Sequence, residues 1–334
     1  MDKIVLGLDI GGTSVKIGFI TRKGEILKKW EIPTNRKEHG KYIVEEIWQS
    51  VLKNLTSINL DQQSIYSIGA GAPGFIDRNS GIIYEAVNIG WKNYNLAGQL
   101  KALANVPVFI ENDANLAALG ENWKGAGNGA RNMIAVTLGT GVGGGIIVNG
   151  EVLSGVNGTG GEIGHIIVES EGAVCNCGGK GCLETIVSAT GMVRQALELI
   201  GDNPSSQLSN LYEKNGEISA KDVFNLAGKG DKLSQQIIDR NTGILGSLLA
   251  NLSVIINPSV ITIGGGLSQA GETFINAIAN SFHKKAMPRV SEVCSIKVAE
   301  LGNDAALIGA AKMSHDFDMQ SILLNENTCD KTAY

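Results

Sequence analysis

The chain has 334 residues, 43% of them hydrophobic and 18% charged, with a net charge of −5; this excludes a mainly disordered chain and argues against electrostatic binding to nucleic acid or an anionic membrane. Glycine contributes 44 residues, proline 6 and aromatics 5%, so many tight turns inside folded structure are expected, not a collagen, a linker or an aromatic-lined surface. At about 100–200 residues per domain, the length fits two domains or one domain built as two lobes.

No export or membrane signal is read. Asp9 interrupts the first apolar run, and the apolar stretches 133–148 and 248–263 are broken by Thr, Asn, Ser and Gly. These fall short of the ~20 residues a spanning helix needs. A cytoplasmic chain is expected. Its five cysteines are then expected to be reduced, metal-bound or inert.

In chain order, residues 3–10 read as a strand, Gly11-Gly12-Thr13-Ser14 as a turn and 15–20 as a second strand. Ile43, Val44, Ile47, Val51 and Leu52 recur at helical spacing, predicting a helix over 40–55. Residues 65–71 and 106–111 read as strands, the first ending at Pro73-Gly74 and the second at Asn112-Asp113. A helix is expected from Ala114 to about Glu121. The opening pattern then recurs: strand 132–138, turn 139–144, strand 145–148. Gly11 and Gly139 stand 128 positions apart, a period suggesting duplicated lobes, not a solenoid. Further helices are predicted over 186–200, 220–227 and 233–255. A short buried strand 259–263 leads through Gly264-Gly265-Gly266 to a helix capped near Ser268 and ending near Lys285. A last helix, 304–313, precedes a polar tail. Alternating strands and helices give an α/β class.

Residues 69–74 and 139–144 match G-x-G-x-x-G, but neither last glycine opens a helix, so no Rossmann site follows, and no P-loop motif occurs. A strand–glycine turn–strand unit can instead be a plain hairpin or a nest of backbone N–H groups for an anion. Two related units, with hydroxyls at Thr13 and Thr140, favour a pair of phosphate nests. Gly11 and Gly12 are expected to allow close approach and unusual φ. Asp9 ends a buried-looking strand, where an unpaired carboxylate is expensive and a bound Mg²⁺ would offset the cost. Gly264-Gly265-Gly266 is a tight turn or a place where a flat base or ribose meets bare backbone.

Glu111-Asn112-Asp113-Ala114-Asn115 joins a strand end to a helix start. Asn112 or Asp113 can be the N-cap, and a carboxylate there can also serve as a general base. Cys175, Cys177 and Cys182 lie within eight residues, and His165 lies ten residues before Cys175. Three thiolates and one imidazole make a closed tetrahedral site for a structural Zn²⁺. Glu162 and Glu184 bracket that knot; they are surface glutamates or acceptors for polyol hydroxyls. Cys294 and Cys329 read as ordinary residues.

Together, Leu8-Asp9-Ile10-Gly11-Gly12-Thr13, the 111–115 motif, the 139–144 turn, Glu162-Ile163-Gly164-His165 and the Cys175 to Glu184 run resemble the ROK family (repressors, open reading frames, kinases), in the family's order and over about residues 4–312. The likeness is greatest to its bacterial ATP-dependent, glucose-phosphorylating members. The resemblance implies a two-lobed actin-like ATPase (ribonuclease H-like) fold with duplicated lobes around a cleft. The expected small lobe covers 1–117 with a returning helix 304–318. The large lobe covers 118–303 and carries the zinc segment.

The resemblance also implies transfer of phosphate from MgATP to O6 of D-glucose, with Asp113 as the base. Gly74, Asn112, Asp113, Glu162, His165 and Glu184 would bind the sugar, His165 using its second ring nitrogen for zinc. Asp9, Gly11, Gly12, Thr13, Thr140, Gly141 and Gly265 would hold ATP and Mg²⁺. A homodimer is expected. A kinase for N-acetylmannosamine, fructose or mannose, or a non-catalytic sugar sensor, are the alternatives. Family repressors carry a helix-turn-helix ahead of this region; with the phosphate motif read from Asp9, none is expected here.

Overall fold

The computed structural model describes residues 3–329, with side chains described for 3–317. By contact density the chain forms two compact units. One holds the chain up to Asn128, Val152–Gly160 and the chain from Asn303; the other holds Gly129–Glu151 and Gly161–Gly302.

The first unit is built on β1 (Ile4–Ile10), β2 (Ser14–Thr21), β3 (Ile26–Pro33), α1 (Ile43–Thr56) and β4 (Ile65–Ala72). A small antiparallel strap follows, β5 (Phe75–Asp77), β6 (Ile82–Ala86) and β7 (Trp91–Asn95). Then come α2 (Leu96–Ala104), β8 (Val108–Asn112) and α3 (Asp113–Lys124). The sheet order is β3-β2-β1-β4-β8, with β1, β4 and β8 parallel. Strands β1, β2 and β4 are nearly continuous apolar runs because both faces are covered. Ile17, Phe19, Ile47, Val51 and Leu100 are among the fully buried residues of this core.

The second unit contains β9 (Met133–Leu138), β10 (Val142–Val148), α4 (Glu184–Val187), α5 (Ala189–Ile200), α6 (Gln207–Asn215), α7 (Ala220–Ala227), α8 (Lys232–Ile256), β12 (Val260–Gly264), α9 (Glu272–Lys285), α10 (Pro288–Ser291) and β13 (Ser295–Val298). A short β11 (Glu151–Val152) completes the sheet order β11-β10-β9-β12-β13. Both sheets therefore carry an antiparallel three-strand run followed by two parallel strands, the duplication the repeated hairpins predict.

Helix α11 (Ala305–Cys329) returns to the first unit and lies against α3, β1 and β4. A Cβ on Gly120 would come 2.0 Å from the Ala305 carbonyl, and one on Gly309 1.9 Å from the Leu116 carbonyl, so two glycines let α3 and α11 cross at backbone contact. The expected lobe boundary after residue 117 falls inside α3, which this packing keeps in the first unit. Among the described residues no helix is long and apolar enough to cross a membrane.

Several expectations need correction. The turn predicted over 139–144 is shorter, because β10 runs through Gly143 and Gly144 and pairs with β9. The helix predicted over 186–200 breaks at Ser188, whose hydroxyl caps α5 by accepting from Gly191 N. The helix after the 264–266 glycines breaks at Gly271 (φ 103°); Ser268 is not its cap but donates to the Gly265 carbonyl at 2.7 Å. The last helix continues to Cys329 in place of a tail from 314, and the side chain of Cys329 lies outside those described. Strand β3, the strap, α2, α6, α10 and β13 went unpredicted.

Candidate active site

In the first unit the parallel register sets Asp9 opposite Gly71, and Gly71 opposite Glu111, along the carboxyl ends of β1, β4 and β8. That edge is where open α/β sheets bind ligands. Asn112 caps α3: its Oδ1 accepts from Ala114 N at 2.9 Å and Asn115 N at 3.3 Å. Asp113 is therefore the first helical residue, and its Oδ1 also accepts from Ala114 N, at 2.8 Å. The positive end of the helix favours a carboxylate there. Asn112 Nδ2 donates to the Gly74 carbonyl at 3.4 Å. Gly74 has φ 96°, and a Cβ would sit 1.9 Å from the Glu85 carbonyl, so only glycine fits.

The first glycine turn lies between β1 and β2. Gly11 N donates to the Ser14 carbonyl at 2.9 Å, Thr34 Oγ1 to the Gly11 carbonyl at 2.6 Å and Thr34 N to the Thr13 carbonyl at 2.9 Å. Neither Gly11 nor Gly12 has positive φ, contrary to expectation. Space is the requirement at Gly12 instead, where a Cβ would approach Asn88 Cβ to 3.1 Å. Asp9 is paired with Lys16, Nζ to Oδ2 at 2.9 Å, across the β1–β2 ladder. One carboxylate beside a glycine turn suits Mg²⁺, which takes few protein ligands and completes its shell with phosphates and water.

The unpredicted members of this site are Lys16, Arg78 and Glu111. Glu111 is buried; its Oε1 accepts from Asn112 N at 2.8 Å and Asn115 Nδ2 at 3.0 Å. Its Oε2 faces Arg78 Nε at 2.8 Å, an ion-pair contact set off the N–H direction and so no hydrogen bond. Arg78 Nη1 donates to Ser154 Oγ at 3.0 Å. The sequence signal was a carboxylate ending an apolar strand, which demands a partner. Arg78→Met should lower stability by about 1–3 kcal/mol, less than a fully buried pair because Arg78 is 41% exposed. A lowered thermal midpoint, partly recovered in Arg78→Lys, checks this.

In the second unit Thr140 and Gly141 form the β9–β10 turn, closed by Gly139 N donating to the Gly141 carbonyl at 2.9 Å. Gly265 (φ 82°) follows β12, where a Cβ would meet the Leu138 carbonyl at 2.4 Å. The turn and Gly265 thus adjoin at the end of β9.

His165, Cys175, Cys177 and Cys182 bring four ligand atoms within 4.8 Å of one another. Cys175 Sγ lies 3.5 Å from His165 Nδ1, and Cys177 Sγ 3.7 Å from Cys182 Sγ. Zinc–sulfur bonds of about 2.3 Å and zinc–nitrogen bonds of about 2.0–2.1 Å make a tetrahedron with S···S and S···N edges of about 3.8 and about 3.5 Å. The donor set thus fits zinc in number and type, and these two edges match its spacing. Burial, with Cys177 and Cys175 adding, pushes the Cys182 thiol up to about 12. A cation at the centre removes that obstacle by binding thiolates.

The other ring nitrogen, His165 Nε2, lies 4.0 Å from Glu162 Oε2. Burial pushes the Glu162 carboxyl above the ordinary range; His165 opposes the rise and Glu184 adds to it. Glu184 Oε2 accepts from Val142 N at 3.0 Å, while Oε1 lies 3.8 Å from Cys175 Sγ. The histidine–cysteine cage, two carboxylates and the glycine turn therefore form one cluster.

The profile of the ROK family matches residues 5–316. The chain belongs to the ROK family. It is 48% identical to a glucokinase of Halalkalibacterium halodurans over 92% of this chain and 94% of that one. It is 36% identical to a glucokinase of Thermotoga maritima over 92% and 96%. Among solved structures it resembles a ROK family glucokinase from Streptomyces griseus in complex with glucose and AMPPNP, at 31% identity and a TM-score of 0.73, covering 93% of this chain and 98% of that one. The fold class of this ROK chain is the two-lobed actin-like one, and each unit carries one copy of the repeated sheet.

Proposed function

We propose that this ROK protein is a glucokinase, transferring the γ-phosphoryl group of MgATP to O6 of D-glucose to give glucose 6-phosphate and ADP. Near full-length likeness to glucokinases carries this reading, supported by Asp113 at a helix start and by the Glu162, His165 and Glu184 cluster. Phosphoryl transfer is mostly positioning and charge stabilisation. Asp113 accepts the proton of the C6 hydroxyl as that oxygen attacks. Gly74, Asn112, Glu162, His165 and Glu184 bind sugar hydroxyls.

His165 uses Nδ1 for zinc and Nε2 for the sugar, since metallation of one nitrogen fixes the role of the other. Zinc is structural because four protein ligands close its shell. Gly11, Gly12, Thr13, Thr140 and Gly141 hold phosphates, and Gly265 borders the adenosine. Asp9 holds Mg²⁺, which supplies charge neutralisation to the phosphates. Cys175, Cys177, Cys182 and Cys294 form no disulfide, which suits a reducing cytoplasm. The family resemblance supports a homodimer.

A coupled assay across a hexose panel tests the sugar. A buried polar group that loses its partner costs about 1–3 kcal/mol, at least about fivefold. Two lost contacts predict that glucose exceeds N-acetylmannosamine and fructose in kcat/KM by at least about 25-fold. Values within fivefold, or a preference for another sugar, would overturn glucose as the substrate and leave a hexose kinase.

A further inference from the structure

Beyond its one closing bond, Gly139 N to the Gly141 carbonyl, the β9–β10 turn is held from outside. Every residue of it is tied to or crowded by the stretch that begins two positions after the zinc ligand Cys182. Ala189 N donates to the Gly139 carbonyl at 2.9 Å. Thr190 Oγ1 donates to the Thr140 carbonyl at 2.8 Å. A Cβ on Gly141 would come 2.3 Å from Glu184 Oε2, so glycine is required there to admit the carboxylate. That same oxygen takes the Val142 N–H at 3.0 Å.

The stretch is itself anchored. Leu183, Ile186 and Val187 are buried in the core of the second unit. Ser188 Oγ donates to the Glu184 carbonyl at 2.6 Å, and Leu183 N donates to the Ile166 carbonyl, next to His165, at 2.9 Å.

We propose that Glu184 and Thr190 are positioning residues for the nucleotide: they fix the 139–142 turn from outside, so that one carboxylate serves the sugar and the phosphate turn together. Glu184 Oε2 is engaged by the turn, which leaves Oε1 for a sugar hydroxyl. A carboxylate shared in this way couples the two substrates. If the side chain leaves the turn, Val142 N–H loses its acceptor and the turn loses the contact that sets its path. Thr190 acts on the turn through its hydroxyl, which reaches the Thr140 carbonyl at 2.8 Å and also lies 2.9 Å from Ser188 Oγ at the start of α5, and it makes no bond to the Glu184 carboxylate. The inference rests on reading residues 139–142 as a phosphate turn.

Calorimetric titration of AMPPNP and of glucose, each in the absence of the other, tests it, with zinc content measured in every variant to confirm an intact knot. One hydrogen bond of about 1 kcal/mol is about fivefold in affinity. Thr190→Val should weaken AMPPNP by about fivefold and leave the glucose Kd within twofold, and Thr190→Ser should restore AMPPNP binding to within twofold. Glu184→Ala should weaken both ligands by at least about fivefold. An AMPPNP Kd within twofold of wild type in Glu184→Ala, or Thr190→Val weakening both ligands equally, would overturn the proposal and leave the glucokinase reading standing. Wild-type protein that binds neither ligand would instead overturn that reading, and the inference with it.

Discussion

Asp113→Asn should lower kcat by about 10²–10⁴-fold, the usual worth of a general base, while glucose binding stays within a few-fold of wild type. The local geometry makes this a clean substitution. Asn112, not Asp113, caps α3 through Ala114 N and Asn115 N. An asparagine at 113 can still accept from Ala114 N, as Asp113 Oδ1 does at 2.8 Å. The helix start, and with it Asn112 and Gly74, should therefore stay in place. What is lost is the basic oxygen. Stability should change little, so a thermal midpoint near that of wild type together with a collapsed kcat assigns the loss to chemistry. A variant with kcat within threefold of wild type would remove Asp113 from the role proposed for it.

The parts of this fold that were legible in the sequence are those where local pattern and tertiary burial agree. Strands β1, β2, β4 and β9 read correctly because each is a run of apolar residues stopped by a glycine or Asx turn. The duplication read correctly because both hairpins keep the same order of strand, glycine turn and strand. Strand β3 alternates between half-buried and exposed positions along its length. That pattern suits an edge strand, but its Lys28-Lys29 pair masked it. Ser188 broke a helix whose apolar periodicity runs straight through it, since a cap is a hydrogen-bond event and leaves the periodicity intact.

The candidate site divides in the same way. The Cys₃His cage was legible because three thiols and an imidazole at short spacing have few other uses than to meet in space, as they do. Lys16 and Arg78 were not, because each answers a carboxylate through the fold. Arg78 meets Glu111 from 33 positions away, on a strap that carries no sequence signal of its own. The reason for glycine at 141 was also hidden. It is the approach of Glu184, which only three dimensions reveal.

Cys182→Ser should remove the zinc and, with it, at least about 100-fold of kcat/KM for glucose. Wild-type protein should contain close to one zinc per chain. The size of the loss follows from what the knot holds. His165 Nδ1, 3.5 Å from Cys175 Sγ, would supply a ligand directly, Glu162 lies against its Nε2, and Glu184 follows Cys182 by two positions. Three polar contacts released at about fivefold each multiply to about 10²-fold. The second unit should nonetheless stay folded. Its core is closed by Ile134, Ile146, Leu249, Ile261, Ile278 and Phe282, from β9, β10, α8, β12 and α9, which do not depend on the metal. Far-UV circular dichroism should therefore keep its helical signal while zinc and sugar affinity vanish together. Because Glu184 also holds Val142 N, AMPPNP affinity should fall in the same variant, and by less than glucose affinity, since Ala189 and Thr190 still reach the turn. Fully active enzyme that contains no zinc would sink the structural role of the metal. A variant that loses zinc yet binds glucose like wild type would separate the knot from the sugar, and Glu162, His165 and Glu184 would then have to be held by the core alone.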